Sequence, residues 1–207
     1  MMTTLLIARH GNTFEVNDIL RRVGKTDLPL VNSGLAQGRM LGNYLKNHDL
    51  TPDYIFTSEL LRTKQTAEQA QSVLGTNLPV NTLTIFNEID YGVDENQPES
   101  IVKERLGEKA LMDWDKNAIV PNGWFFDSHK CIDNWFEFAK QIEKNYSGKI
   151  ILVVTSNGIA RFSPYLTGDF NSFSQKYKIK ISTGGLCVFT KDSTLDFWKC
   201  FGWNIKS

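Results

Sequence analysis

Leu5-Leu6-Ile7-Ala8-Arg9-His10-Gly11 opens the chain with an uninterrupted apolar run that stops at a polar tripeptide. A run with no polar alternation suits a strand buried on both faces, as in a parallel sheet covered by helices. Ile150–Thr155, apolar and rich in β-branched residues, repeats the pattern and ends at Ser156-Asn157-Gly158. Between the two, Asp53-Tyr54-Ile55-Phe56 reads as a third strand and Val80–Phe86 as a fourth. Leu186–Phe189 and Leu195–Trp198 read as two closing strands.

The intervening segments carry helical spacing. Asn32-Ser33-Gly34 offers a helix start, and Met40 with Tyr44 and Leu41 with Leu45 follow at four-residue intervals. Ser58 is the expected N-cap of a helix bearing Leu60, Ala67, Ala70 and Leu74, which Gly75 closes. Ile101 to Trp114 is weakly helical. Ile132, Trp135, Phe136, Ala139, Ile142 and Tyr146 hold helical spacing closely, and Gly148 stops them. A short helix-like stretch follows Ser156-Asn157-Gly158, up to Pro164. Strands alternating with helices predict an α/β fold: a three-layer α/β/α sandwich, with a mainly parallel central sheet and helices on both faces. With no linker, repeat or low-complexity tract, residues 1–207 read as a single domain. Ligands of such sheets sit at the carboxyl ends of the strands. Arg9-His10-Gly11, Ser58 to Arg62 and Ser156-Asn157-Gly158 all fall there.

Composition narrows the function classes. The 207 residues are 41% hydrophobic and 22% charged, within the globular range. Lys+Arg and Asp+Glu both total 23. A general nucleic-acid or anionic-membrane binder would carry a basic excess, so neither partner is expected. No apolar run approaches the roughly 20 residues of a membrane span. The N-terminus lacks the basic n-region of a signal peptide. Cys131, Cys187 and Cys200 show no metal spacing and read as free thiols of a reducing compartment. The expectation is a cytoplasmic protein with neither metal nor cofactor. Its oligomeric state, a homodimer included, is left open.

Each polar cluster has a chemical reading. A glycine after His10 lets backbone N–H groups approach a ligand, and Arg9 offers a planar fork of donors for phosphate or carboxylate. Arg62, early in its helix, opposes the helix dipole unless an anion sits there. Glu88, after the fourth strand, reads by itself as a surface carboxylate, or, at a sheet edge near a site, as an acid to protonate a leaving oxygen.

Together these residues resemble the histidine phosphatase superfamily, the phosphoglycerate mutase-like family. Its Arg-His-Gly signature stands as Arg9-His10-Gly11-Asn12-Thr13. Asn17, Arg21 and Gly24 follow, then Asp27-Leu28-Pro29-Leu30 and Gly34 with Gln37. Ser58-Glu59-Leu60-Leu61-Arg62 with Thr66-Ala67 is similar to the second arginine motif, and Glu88-Ile89-Asp90-Tyr91-Gly92 to the acid motif. The resemblance implies a metal-independent phosphatase acting on a small phosphorylated molecule. It implies His10 as nucleophile, forming a phosphohistidine, and Glu88 as general acid and then base. Arg9 and Arg62 would clamp the phosphoryl oxygens, and Asn17 and Arg21 would add phosphate contacts.

The family's second histidine, in a His-Gly string with an arginine a few residues on, is missing. Aligning Arg161 places Ser156 in the histidine's position. The remaining histidines, His48 and His129, lie outside every matching motif. Ser156, Asn157 and the N–H groups of the following helix are the donors left to bind phosphate. Loss of one preorganised donor typically costs about 10²–10³ in rate. An active phosphatase of reduced rate, a phospho-ligand-binding protein without turnover, and a mutase-type transferase are therefore three readings. The segment after Gly92 lacks the family's usual Gly-Glu-Ser string and is rich in aromatics. Trp114, Trp124, Phe125 and Phe126 there read either as core or as an apolar wall of the substrate site. Lys103, Arg105, Lys109 and Lys116 are scattered without an arginine pair, which favours water as final acceptor.

Overall fold

The computed structural model describes residues 1–206. In chain order the elements are β1 (Thr3–Arg9), β2 (Arg21–Arg22), α1 (Asn32–Asn47), β3 (Tyr54–Thr57), α2 (Leu61–Leu74), β4 (Val80–Thr82) and β5 (Gln97–Pro98). They continue with α3 (Glu99–Asn117), α4 (Ser128–Asn145), β6 (Ile150–Thr155), α5 (Asn157–Ala160), α6 (Phe170–Lys176), β7 (Gly185–Lys191) and β8 (Lys199–Lys206).

Six strands form one sheet in the order β4-β3-β6-β1-β7-β8. The first four run parallel, and β7 and β8 are antiparallel additions. Alternation along each strand divides the side chains between two cores. Leu5 and Ile7 of β1 join Ile151 and Val153 of β6 under Trp135, Phe138, Ala139 and Ile142 of α4. Leu6, Ala8, Leu152 and Val154 face Leu41 and Leu45 of α1 and Ala67 and Ala70 of α2. Double burial explains why both strands read as continuous apolar runs. The three-layer α/β architecture with a mostly parallel sheet is as expected.

Local details differ. Ser58 is not the N-cap of α2. Leu60 holds that position, and the Ser58 hydroxyl instead accepts from the Leu60 N–H in the turn before it. Gly75 closes α2 in the left-handed conformation, as expected. Only Val80–Thr82 of the fourth expected strand pairs, because Thr84–Phe86 tightens into a 3₁₀ turn that buries Phe86. Leu195–Trp198 is a connection, and the last strand begins at Lys199. Pro164 does not end a helix but starts a 3₁₀ turn, where its missing N–H costs nothing. The two-stranded β2–β5 ribbon and α6 had no sequence signal strong enough to read. Among the described residues no helix is long and apolar enough to cross a membrane.

The order β3-β6-β1 sets the carboxyl ends of three adjacent parallel strands side by side. His10, Ser58 and Ser156 each follow one of them. Because β7 runs the other way, its entry at Lys180–Gly184 lies at the same edge, and the Gly184 N–H donates to the Arg9 and His10 carbonyls.

Candidate active site

A cavity of about 370 Å³ opens at this edge. Arg9, His10, Arg21, Arg62, Glu88 and Asn157, all expected from the sequence, line it together.

His10 is buried at the end of β1. Its Nδ1 lies 2.7 Å from the Gly11 carbonyl, an acceptor only, so Nδ1 carries the proton. Arg62 Nε donates to the other ring nitrogen, Nε2, at 3.2 Å. An arginine has no lone pair to offer, so Nε2 is an acceptor and the ring is neutral. Burial first, then the Arg62 and Arg9 guanidiniums, hold the imidazole well below its ordinary value of 6.5. The result is a neutral ring with an unprotonated Nε2 in a cationic cavity.

Arg62, the second residue of α2, is 1% exposed. Its remaining donors go to the Thr26 carbonyl at 2.9 Å and the Gly24 carbonyl at 2.6 Å. Glu95 holds that loop by accepting from the Gly24 and Thr26 N–H groups, both at 3.0 Å. Arg9 donates to the Ile181 carbonyl at 2.6 Å, and its Nε is buried without a partner. Burial lowers both arginines from 12.5, while the charge of Glu88 acts against that loss.

Glu88 is nearly buried. Its Oε2 accepts from the Gly158 N–H and its Oε1 from the Ile89 N–H, both at 3.0 Å. The Gly158 N–H, second in α5, thus faces this carboxylate, not an open anion site as the sequence suggested. A methyl group on Gly158 would collide with Glu88 Oε1. Gly158→Ala is therefore expected to displace the carboxylate and lower kcat by about 10²-fold, the scale of losing one general acid. Steady-state kinetics beside a melting curve checks this.

Two expected residues are elsewhere. Asn17 is exposed on a turn closed by the Asp18 N–H donating to the Glu15 carbonyl, and it does not line the cavity. Ser156 is fully buried where β6 leaves the sheet, its hydroxyl has no partner, and it too is outside the cavity lining. Arg161 is buried under α3. It donates to the Trp114 carbonyl at 2.6 Å, stacks on the Trp114 ring, and burial pushes it down to about 10. His48 and His129 are exposed and outside the cavity. None of the four aromatics lines the cavity: Trp114 and Trp124 are buried in the core, Phe126 packs against it half-buried, and Phe125 is exposed.

The lining also includes residues the sequence reading did not single out as site residues, among them Arg22, Tyr91, Lys180 and Thr183. Arg22 pairs with Glu99 at 2.6 Å and packs over the Tyr91 and Trp124 rings. Adjacency to Arg21 and membership of the acid motif were the available signals for Arg22 and Tyr91. Lys180 and Thr183 had none, because only the reversed direction of β7 brings them here.

A model of the histidine phosphatase superfamily, branch 1, matches residues 5–204. The chain belongs to this superfamily. Among curated relatives, the chain is 33% identical over 119 residues to the 2,3-bisphosphoglycerate-dependent phosphoglycerate mutase of Rhodococcus jostii. That match covers 57% of this chain and 47% of the mutase. The Mycobacterium leprae mutase of the same name is 28% identical over 168 residues, 79% of this chain and 65% of the relative. The chain thus spans about half to two thirds of these relatives' length. Its fold is similar to that of mycobacterial glucosyl-3-phosphoglycerate phosphatase, with a TM-score of 0.77 at 17% identity, covering 99% of both chains. It is also similar to the α-ribazole phosphatase of Shigella flexneri, with a TM-score of 0.73 at 20% identity, covering 99% of this chain and 97% of the other. Among the described residues, no group of three or more His, Cys, Asp and Glu side chains could hold a metal ion.

Proposed function

We propose that this histidine phosphatase hydrolyses a small phosphomonoester without a metal, through a phosphohistidine on His10. The observation that carries the reading is the neutral His10 ring, its unprotonated Nε2 accepting from Arg62 in a cavity that Arg9 also lines. The Nε2 lone pair attacks phosphorus as the bond to the leaving oxygen breaks. Arg62 Nε turns from Nε2 to a phosphoryl oxygen, and Arg9 balances the charge that develops. Glu88, protonated for this step, gives its proton to the leaving oxygen. Water then attacks the phosphohistidine, Glu88 takes the water proton, and the N–P bond breaks. Phosphate and a neutral His10 remain.

The test is phosphate release from p-nitrophenyl phosphate and a panel of sugar phosphates, phosphoglycerates, nucleotides and phosphopeptides, with no added metal. Turnover at a fraction of a per-second rate or above supports the reading, and silence across the panel overturns it. Ser156 favours a second reading, a phospho-ligand-binding protein with little turnover, since its hydroxyl is buried after β6 outside the cavity lining. Under that reading the wild type is silent, binds phosphate, and gains turnover in Ser156→His. The relatives' names support a third, mutase-type transfer, which phosphoryl exchange between labelled and unlabelled phosphoglycerates would reveal.

A further inference from the structure

Asn157 is the first residue of α5, nine-tenths buried, and lines the cavity. Its Oδ1 accepts from the Ile181 N–H at 2.8 Å. A backbone N–H needs an acceptor, so this bond fixes which end of the amide is oxygen. The Nδ2 end, with two N–H groups, has no hydrogen-bond partner among the described residues. Nδ2 is not among the buried unpartnered atoms, and Asn157 lines the cavity, so its two N–H groups are free to donate to an anion that enters.

The same peptide group positions a second cavity donor. The Ile181 carbonyl accepts from Arg9 at 2.6 Å, while its N–H holds Asn157. Residue 181 itself is fully buried at the entry to β7. The Asn157 main-chain carbonyl is held in turn by the Arg161 N–H at 3.2 Å and by Arg161 Nε at 3.3 Å. Both ends of the Asn157 residue are therefore fixed before any ligand arrives, which is the requirement for an effective transition-state donor.

We infer that the Asn157 side-chain amide, locked by the Ile181 peptide that also locks Arg9, donates to the transferring phosphoryl group. This inference rests on the proposed phosphohistidine reading and adds to it a neutral third donor. Asn157 thereby supplies what the buried Ser156 hydroxyl does not. A neutral amide donates without titrating, so this contact stays in place across the working pH range.

Asn157→Asp tests it directly. The carboxylate can still accept from Ile181 but offers the phosphoryl group an anion in place of two N–H donors. The expected loss in kcat/KM on p-nitrophenyl phosphate is about 10²–10³-fold, with a matching loss of vanadate inhibition. Asn157→Ala, lacking the added negative charge, should lose about 10²-fold. Melting curves identify either variant that fails to fold. A wild-type measurement stands independently of both: in ¹⁵N-labelled protein, a side-chain amide pair should shift as inorganic phosphate is titrated.

Folded variants that keep kcat/KM and vanadate inhibition within threefold of wild type overturn the inference. So does phosphate binding that moves no side-chain amide pair. If the wild type turns nothing over but binds phosphate, and Asn157→Asp abolishes that binding, the catalytic reading fails while the amide's role as anion donor stands. If the wild type neither turns over nor binds phosphate, both fall.

Discussion

His10→Ala is expected to lower kcat on p-nitrophenyl phosphate by about 10⁴-fold or more, the scale seen when a covalent nucleophile is removed. No acid-labile, base-stable phosphoenzyme should be trapped from the variant after quenching, whereas wild type should yield one. The effect is large because no other histidine lines the cavity: His48 and His129 are exposed elsewhere. The ring's environment also fixes a pH dependence. Burial and two guanidiniums hold His10 well below 6.5, so Nε2 remains unprotonated as pH falls through 6.5. Nucleophilic activity should therefore persist below that pH and fall only at the lower, folded-state value. Stability moves in the same direction. The unfolded ring takes up a proton near 6.5 and the folded ring does not, so the unfolded state binds more protons below 6.5. Stability is then lost as pH falls, by up to about 1.4 kcal/mol per pH unit over that window. His10→Ala should flatten this part of the profile of melting temperature against pH. A wild-type profile as flat as the variant's would contradict a depressed His10.

Arg62→Met should give the second large effect, and it should appear in both rate and stability. The side chain is 1% exposed and donates to His10 Nε2 and to the Gly24 and Thr26 carbonyls. Methionine keeps much of the volume and none of the donors. Two carbonyls then lose partners in the interior, at about 1–3 kcal/mol for each buried group left unsatisfied. Removing a guanidinium from the phosphoryl group is expected to cost a further 10²–10³-fold or so in kcat. Arg62→Lys separates the two effects. It restores the charge but not the fork, so it should recover part of the binding of vanadate and little of kcat. Equal kcat in Arg62→Lys and wild type would show that the geometry of the fork is not used.

Much of this site was legible because one physical rule governs its position. Strands buried on both faces read as unbroken apolar runs, and the polar residues that end them fall at the carboxyl edge of a parallel sheet. Arg9, His10, Arg62, Glu88 and Asn157 were found in this way, and the order of their motifs in the chain pointed to the superfamily. Ser156 and Asn157 are neighbours and both can donate, so the sequence could not choose between them. The turn from β6 into α5 buries one and brings the other to the cavity. Asn17 is expected at the site only because it fits the family's segment after Arg-His-Gly. The Glu15–Asp18 turn carries Asn17 outward instead. The aromatic segment reads from sequence as core or substrate wall; burial assigns Trp114 and Trp124 to the core, while Phe125 is exposed away from the cavity.

By itself the sequence determined the α/β class, the strands that carry the candidate site, and the placing of Arg9, His10 and Arg62 near their ends, since periodicity and local motifs are properties of contiguous residues. Only the tertiary structure decided the tautomer of His10, the pairing of Glu88 with Gly158, and the Ile181 peptide that joins Arg9 to Asn157. It also decided the arrival of Lys180 and Thr183 through the reversed β7. These features depend on which strands become neighbours and in which direction they run. Packing across some 170 residues of chain, as between Arg9 and Ile181, sets that relation, and no local pattern encodes it.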